Sequence, residues 1–390
     1  MLAYWIILLW VALLGFLFVP PHAEKVRFDD GSTDYKTSRT LIWVIVSVPL
    51  IICALRSSFG DTFSYIGGFK DLPPMSTYLE TYEARKSCQL FYGLEVIFKY
   101  YIWDDYHAWL SLIALVQIAC VIKVLQKYSV HVGISFYLFV ASGMIFSWMF
   151  NGIKQFLVAA ILFACVDWIL EKKWVRFTVV LLFFTGFGQI AGMLGFGSPP
   201  WWLCGFHQTA IIMLPIVFCC TGKMLNKKVW IVIGFLAFLL ISGLFAPFLE
   251  TAVENSSYEN DLQYLGAESG MNVWRFLVSL VPPGMVLLRR KQILEEGTTP
   301  IIDLSINMSF VSSVIYLIST VTSGIYVGRL PIYCELYNLI LYPWLFMHPY
   351  RKEKKWLLPV MCAFYLAFFV YQMYVAFGEH YFSNVLTFLN

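Results

Sequence analysis

The sequence contains few charged residues. Asp, Glu, Lys and Arg make up only 13% of its 390 residues, whereas a soluble domain averages about 25%. Hydrophobic residues make up 59%, and the mean hydropathy is +0.71. A soluble fold of this length could not bury so much apolar surface, so the composition excludes that class and places the chain in a lipid bilayer. The apolar runs are long and unbroken rather than alternating, which predicts membrane-spanning helices.

The sequence also lacks the motifs of several common chemistries. It has no Gly-rich phosphate loop and no pattern of a Ser, His and Asp nucleophile system. The nine cysteines have no metal or redox spacing, and most of them lie inside apolar runs. The nearest approach to a metal motif is Asp104-Asp105 with His107, and adjacent residues rarely point together. We therefore expect no metal, no cofactor, no ATP hydrolysis by this chain and no nucleic-acid partner.

The apolar runs predict an all-α polytopic membrane protein with about twelve transmembrane helices in a single domain, residues 1–390. Each run has close to the ~20 residues that a helix needs to cross a bilayer. The first run lacks the basic start and the small-residue cleavage site of a signal peptide, so we expect it to be retained. The predicted spans are 2–19, 40–55, 107–124, 131–150, 153–170, 175–196, 205–222, 229–249, 273–288, 301–320, 332–347 and 356–377.

The basic residues indicate an orientation for these spans. The loops after spans one, three, five, seven, nine and eleven hold 19 of the 27 Lys and Arg residues. Loops that are rich in Lys and Arg stay in the cytoplasm, so both termini are predicted to lie outside it. This alternation holds over all twelve spans, which supports the count.

One apolar segment, 88–103, is predicted to lie on the outer surface instead of crossing the bilayer. Its apolar residues recur at helical spacing, and Glu95 and Lys99 have the i,i+4 spacing of an ion pair. A thirteenth span here would reverse the charge rule for the rest of the chain. The long external loops 56–106 and 250–272 are too short for separate domains, and we expect both to contribute to a site on the outer face.

Four basic residues stand at the outer ends of different predicted helices: Arg56, Lys154, His207 and Arg329. Charges at membrane depth are energetically costly and usually face a protein interior or a wet cavity. If these helix ends converge, they form a cationic pocket at the level of the lipid headgroups. Such a pocket fits a lipid-linked diphosphate, because Arg binds phosphate oxygens bidentately and Lys supplies a point charge.

Each of these residues also has a purely structural interpretation. Arg56 and Lys154 could extend to the headgroups, and His207 could be a packing residue. Asp61 could pair with Arg56 or cap the turn at Gly60. The remaining alternatives are Glu335 as a buried partner of Arg329, and Tyr65 and Tyr333 as members of the interfacial aromatic belt.

The polar residues at these helix ends also form a recognisable pattern. An Arg closes an early helix and is followed by a Gly-Asp-Thr turn and a Tyr; a basic residue then precedes a Gln, a His is followed by small residues, and a late Arg precedes a Tyr. Here these are Arg56, Gly60, Asp61, Thr62, Tyr65, Lys154-Gln155, His207, Thr209, Ala210, Arg329 and Tyr333. At these four places the sequence resembles the EpsG/Wzy-type bacterial polysaccharide polymerases. Lys154 departs from the Arg that is usual in that family and offers a point charge instead of a bidentate contact.

The resemblance implies a GT-C-like architecture and a polymerase that joins oligosaccharide repeat units on undecaprenyl diphosphate, as in O-antigen and lipopolysaccharide assembly. It implies the bacterial inner membrane, a site on the periplasmic face, and membrane lipids, a chain-length regulator and a flippase as partners. The expected diphosphate ligands are Arg56, Lys154 and Arg329, and the expected base is Asp61 or His207. Tyr65, Gln155, Gln208 and Tyr333 are expected to hold sugars or to orient these groups.

Three other functions stay open at the level of the sequence. A transporter or flippase of lipid-linked sugars would need gates on both faces and polar residues near the bilayer midplane. An outer-face ligase or acyltransferase could use the same pocket with another acceptor. A non-enzymatic partner in a glycan assembly complex is the third.

Overall fold

The computed structural model describes residues 2–57, 60–82, 88–187, 199–242, 270–322, 324 and 327–376. Within these ranges the chain is mostly helical. In its first half the helices are α1 (Leu2–Leu13, continued to His22), α2 (Arg39–Ala54), α3 (Thr62–Lys70), α4 (Met75–Thr81), α5 (Gln89–Ile97), α6 (Tyr106–Tyr128), α7 (Val132–Ala141), α8 (Ile153–Ala164), α9 (Val166–Leu170) and α10 (Trp174–Thr185). In its second half they are α11 (Met213–Cys220), α12 (Lys227–Ile241), α13 (Val273–Ser279), α14 (Val281–Leu288), α15 (Arg290–Glu296), α16 (Pro300–Val321), α17 (Ile332–Glu335), α18 (Asn338–Met347) and α19 (Lys354–Tyr371).

Every predicted span contains helix, and five continuous helical stretches in the described ranges are long and apolar enough to cross a membrane. These five are Leu2–His22, Tyr106–Tyr128, Trp201–Cys220, Pro300–Val321 and Lys354–Val375. Six further apolar helical stretches are shorter, with 10–17 residues each. The chain is therefore a multi-pass membrane protein, and the count of about twelve spans stays a prediction.

Several predicted spans are interrupted helices. The span predicted at 131–150 is α7, which ends at Ala141, followed by a short 3-10 helix at Phe146–Met149. Gly143 follows α7 with a φ of +62°, a left-handed conformation that commonly ends helices. The span at 273–288 is divided between α13 and α14, where Pro282 and Pro283 remove backbone donors. The span at 332–347 is divided between α17 and α18.

The prediction of an all-α fold omits one small sheet. Strands β1 (Glu24–Arg27) and β2 (Thr33–Lys36) form an antiparallel hairpin. The hairpin joins α1 to α2, so it lies in the first of the basic loops. Tyr35 N donates to Val130 O over 2.7 Å, which anchors the hairpin to the loop between α6 and α7. The strands are too short and too polar to give an alternating hydrophobic signal.

The basic loops contact one another at one end of the helices, here called the basic-loop face. It comprises residues 24–36, 127–131, 167–176, 223–226, 289–303 and 348–354. The contacts include Lys127–Asp167 at 2.8 Å, His348–Asp34 at 2.9 Å, Arg351–Glu296 at 2.9 Å, Arg289–Glu353, and Met224 N to Asp303 Oδ1 at 2.9 Å. The loops that the positive-inside rule assigns to one side thus lie together in the fold.

The segment 88–103 is helical, as predicted, but its polar residues are arranged differently. Helix α5 is continued by a π-helical turn at Phe98–Ile102 and is not among the candidate spans. Glu95 is only 5% exposed. The predicted ion pair is wrong, because Lys99 donates hydrogen bonds to the carbonyls of Phe69 and Lys70, at 3.0 and 2.6 Å. Glu95 is thereby a buried residue of the site described next.

Candidate functional site

Four turns lie at the end of the helices opposite the basic-loop face. They are residues 56–57 with 60–62, 150–153, 206–209 and 327–331, and they define the polar-turn face. Helices α2 and α8 show why these turns share one end. At the other end of α2, Arg39 Nε donates to Gln126 over 3.1 Å, and at the other end of α8, Lys123 Nζ donates to Ala164 O over 2.9 Å. The sequence prediction that these turns lie on one face is thus met by the described fold.

The start of α8 is bound by the segment after Arg56. The phenol oxygen of Tyr65 accepts hydrogen bonds from the backbone N–H of Gly152, at 2.8 Å, and of Ile153, at 3.4 Å. The first N–H groups of a helix have no partner within it, so Tyr65 satisfies two of them. The backbone N–H of Asp61 donates to Asn151 Oδ1 over 2.9 Å. The two segments are therefore held as one unit.

Gly60 is required at the closest point of this contact. Its φ is +50°, and a Cβ atom there would lie 1.8 Å from Asn151 Oδ1. An L-residue is therefore strained by the backbone conformation, and its Cβ would displace the Asn151 side chain from its hydrogen bond with the Asp61 N–H. This explains the Gly in the Gly60-Asp61-Thr62 turn.

Arg56 is fully buried, with 1% exposure. Its guanidinium donates to Thr62 Oγ1 over 3.1 Å and to Cys53 O over 2.5 Å, and it stacks 5.4 Å from the centroid of the Phe150 ring. Arg56 thus connects the end of α2 to the turn before α8. It does not extend to the surface, so the headgroup interpretation is wrong, and it does not contact Lys154 or Arg329.

Lys154 lies against aromatic residues of α5. Its ammonium donates to the Tyr92 hydroxyl over 2.8 Å and lies 4.4 Å from the centroid of that ring and 5.7 Å from that of Phe91. Cation–π contacts of this kind hold an ammonium group without neutralising its charge. The positive charge of Lys154 is therefore oriented by α5 and kept within the polar-turn face.

Gln155 connects three of the turns. Its side-chain N–H donates to Arg329 O over 3.1 Å and to Thr209 Oγ1 over 3.4 Å. Thr209 is also hydrogen-bonded to His207 Nδ1 at 2.8 Å and to the Tyr333 hydroxyl at 3.1 Å. Gln155 is 1% exposed, and its Oε1 has no hydrogen-bond donor within the described residues. Gln155 Oε1 is therefore a buried acceptor that a hydroxyl group of a bound molecule could satisfy.

Arg329 ends a 3-10 turn at Val327–Arg329 and is half-buried. Among the described residues its guanidinium makes no hydrogen bond or ion pair, while both Arg329 and Lys154 act electrostatically on His207. Glu335 does not pair with it, because the Glu335 carboxyl accepts from Ser312 Oγ over 2.7 Å. The interpretation of Glu335 as a partner of Arg329 is therefore wrong.

Glu95 is a site residue that the sequence analysis did not select. It lies three and four residues after Tyr92 and Phe91 on α5, so it shares the face that contacts Lys154. Burial raises the pKa of Glu95 to about 7, although the nearby charge of Lys154 lowers it. The 88–103 pattern could have identified it, since Phe91, Tyr92 and Glu95 fall on one side of a helix.

The remaining predicted residues occupy different places. The side chain of Asp61 is exposed at the start of α3, whereas Gln208 is buried at the first residue of the 3-10 helix Gln208–Ile212. Most of the predicted external loop 250–272 lies outside the described residues, so its part in the site stays a prediction. The structure thus joins Tyr65, Lys154, Gln155, His207, Arg329 and Tyr333, while Arg56 and Asp61 attach to this cluster through residues 150–151.

The model of the EpsG family matches residues 39–195 and 202–385, which include all four turns. No curated protein and no solved structure matches the chain.

Proposed function

Because the chain belongs to the EpsG family, a family of polysaccharide biosynthesis, we propose that it is a membrane polymerase of bacterial glycans. It joins oligosaccharide repeat units carried on undecaprenyl diphosphate, at the outer face of the cytoplasmic membrane. The polar-turn face is then the outer face, in agreement with the basic loops at the opposite end.

The observation that carries this proposal is the arrangement of charge around His207. Lys154 and Arg329 lie far apart in the chain. The hydrogen bonds of Gln155, the neighbour of Lys154, to Arg329 O and to Thr209, and of Thr209 to His207, bring both cations to the same network. Neither is neutralised by an ion pair among the described residues, and Gln155 Oε1 lies beside them without a donor. Two cations and an unused acceptor match a substrate with a diphosphate and sugar hydroxyls.

The reaction needs little chemical assistance beyond charge. The acceptor hydroxyl oxygen forms a bond to the anomeric carbon of the donor glycan, and the bond from that carbon to the diphosphate oxygen breaks. Its electron pair leaves on undecaprenyl diphosphate. Lys154 and Arg329 stabilise the negative charge that develops there. The proton of the acceptor hydroxyl passes to a base, for which Asp61 and His207 are the candidates, and this assistance is worth typically ~10²–10⁴ in rate.

The other residues of the cluster have positioning roles in this scheme. Tyr65 fixes the start of α8. Gln155 fixes the Arg329 backbone and Thr209, and through Thr209 it fixes His207. Arg56 connects the end of α2 to the turn before α8 and so helps to fix the start of α8. We assign sugar contacts to Tyr333, Gln208 and the unused oxygen of Gln155, where a sugar hydroxyl would complete the hydrogen bonding.

The decisive experiment uses the purified full chain in lipid nanodiscs with one defined lipid-linked repeat unit, and sizes the products by mass spectrometry. We expect dimers and longer oligomers together with free undecaprenyl diphosphate. Arg329→Ala should reduce the rate by roughly 100-fold, as the loss of a charge-stabilising group does in other enzymes. Lys70→Ala is the matched control, because Lys70 is an exposed cation near the same face.

Two outcomes contradict the proposal in different ways. If the wild-type chain forms no oligomer from any repeat unit that its own cell makes, it is not the polymerase. If Arg329→Ala matches the wild type at equal protein level, polymerisation stands but the site is elsewhere. Transfer of a single unit to a different acceptor would identify a ligase instead.

Transport of a lipid-linked sugar is a second candidate, and one observation favours it. Three spans are interrupted near a buried carboxyl group, and interrupted helices are typical of membrane transporters. Movement of a labelled lipid-linked unit across vesicles, without chain growth, would support transport over polymerisation.

A further inference from the structure

Three helix interruptions meet at one small cavity. They are the end of α7 at Ala141, the break between α13 and α14, and the break between α17 and α18. The cavity has a volume of about 20 Å³. It is lined by residues of these breaks and by α19, among them Ser142, Ser279, Glu335, Asn338, Tyr342 and Tyr365. This volume accommodates one water molecule or one small cation.

Glu335 places a carboxyl group in this cavity. It is 4% exposed, and its two oxygens accept hydrogen bonds from Ser312 Oγ, at 2.7 Å, and from Asn338 Nδ2, at 3.3 Å. No Lys or Arg of the described residues forms an ion pair with it. An ionised carboxylate without a cation is energetically costly in a membrane interior. Its charge must therefore be removed by a proton or balanced by an ion.

Asn338 supplies a second, independent feature. It is 5% exposed, and its Oδ1 has no hydrogen-bond partner within the described residues. A buried amide oxygen without a donor is destabilising unless something else binds it. This oxygen is available to coordinate a cation beside Glu335, as side-chain and backbone oxygens do at interrupted helices.

The groups that face Glu335 do not supply a positive charge. Its titratable neighbours are Tyr316, Cys334, Tyr342 and Tyr365. Tyrosine and cysteine side chains are neutral or negative, never positive. Arg275 acts on Tyr316, but its guanidinium donates to Gln372 Oε1, at 3.2 and 3.0 Å.

We propose that Glu335 and Asn338 form a buried site for one monovalent cation, which is either a proton or a sodium ion. In the first case the proton binds a Glu335 carboxyl oxygen and a water fills the cavity. In the second case Na⁺ takes that position and Glu335 is ionised. The site is separate from the polar-turn face, and it does not depend on the proposed polymerase activity.

Labelling with dicyclohexylcarbodiimide tests the site, because this reagent attacks protonated carboxyl groups in apolar surroundings. The full chain is labelled in choline chloride and in NaCl over a range of pH, and the Glu335 peptide is quantified by mass spectrometry. A sodium site predicts roughly tenfold slower labelling once Na⁺ reaches about ten times its Kd, since only about a tenth of the sites are then empty. A proton site predicts labelling that is insensitive to Na⁺ and falls with rising pH. Glu335→Gln is the control without a reactive carboxyl.

A second measurement covers the case in which the reagent cannot reach the cavity. Thermal unfolding is compared in Na⁺ and in choline, and at several pH values, for the wild type and Asn338→Leu. If a cation binds, Na⁺ or low pH should stabilise the wild type. Asn338→Leu should weaken this stabilisation, because it removes the amide oxygen and the hydrogen bond to Glu335. The proposal is overturned if Glu335 is not labelled under any condition and the unfolding of the wild type matches that of Glu335→Gln in all of them.

Discussion

The side chain of Gln155 donates a hydrogen bond to the backbone carbonyl of Arg329 over 3.1 Å, although the two residues are 174 positions apart in the chain. This bond fixes the turn that carries Arg329 against the start of α8, which carries Lys154. The separation of the two cations of the proposed diphosphate site is therefore set by one buried amide. Gln155 acts as a positioning residue for both.

Gln155→Ala should accordingly impair activity more than stability. We expect a loss of about 1–2 kcal/mol in the free energy of unfolding, as for one or two buried hydrogen bonds, and a larger loss of polymer formation because Arg329 is no longer fixed. Polymer yield at matched protein level and the midpoint of thermal unfolding are the measurements. Gln126→Ala is the control, since Gln126 accepts its hydrogen bond from Arg39 at the end of α6 opposite the polar-turn face. Equal polymer yields for the two variants would exclude the positioning role.

Arg56→Ala should act mainly through folding. It removes the hydrogen bonds to Thr62 and Cys53 O and the contact with Phe150, from a residue that is 1% exposed. We expect destabilisation of roughly 3 kcal/mol, seen as reduced protein level and a lower unfolding midpoint. Arg176→Ala removes an exposed Arg and should change neither. Should Arg56→Ala keep normal stability and lose polymer, Arg56 would be a substrate ligand, as the sequence analysis predicts.

Gly60→Ala should destabilise the turn next to Asn151. The added Cβ atom would overlap Asn151 Oδ1 at 1.8 Å, and the φ of +50° is unfavourable for alanine. A cost of about 1–3 kcal/mol is expected, read from the unfolding midpoint. Gly68→Ala in α3 provides the comparison, because nothing lies within 4 Å of its added Cβ. That variant should be neutral or slightly stabilising, as Ala is the better helix former. Equal stabilities would show that Gly60 does not contact Asn151 closely.

Glu95 should make stability depend on pH. Its pKa is raised from 4.5 to about 7 by burial, so between these values the folded state binds more protons than the unfolded state. Stability contributed by the protonated form is thus complete below pH ~4.5 and falls as the pH rises toward 7. Glu95→Gln should remove this fall and become more stable than the wild type above pH 7, by up to about 3 kcal/mol.

The matched control for this pH dependence is Glu80→Gln, because Glu80 is exposed at the end of α4. The measurement is the unfolding midpoint of the three proteins from pH 5 to pH 8. If Glu95→Gln and the wild type give parallel curves, Glu95 is not buried as described.

The approximate positions of the helices could be predicted from the sequence. The grouping of their connecting loops at two opposite ends could be predicted as well. Each segment enters the bilayer according to its own length and hydropathy, which are local properties of the sequence. The helices Tyr106–Tyr128 and Pro300–Val321 could therefore be predicted from their own residues. The alternation of basic loops correctly grouped the loops that carry Lys127, Arg289 and Arg351, because loops rich in Lys and Arg stay on one side of the membrane.

The partners of each polar residue were decided only by tertiary structure. Arg56, Lys154 and Arg329 look alike in sequence, as single cations at helix ends. Packing then buries Arg56 against Phe150, places Lys154 on Tyr92 and leaves Arg329 without an ion pair among the described residues. The same holds for the interruptions of α7, α13 and α17, whose meeting at Glu335 depends on how distant helices cross. Long-range contacts carry no local signal in one sequence. The sequence by itself therefore determined the membrane class, the presence of helix in each predicted span and the grouping of the basic loops, whereas the fold decided where those helices break and how the polar turns contact one another.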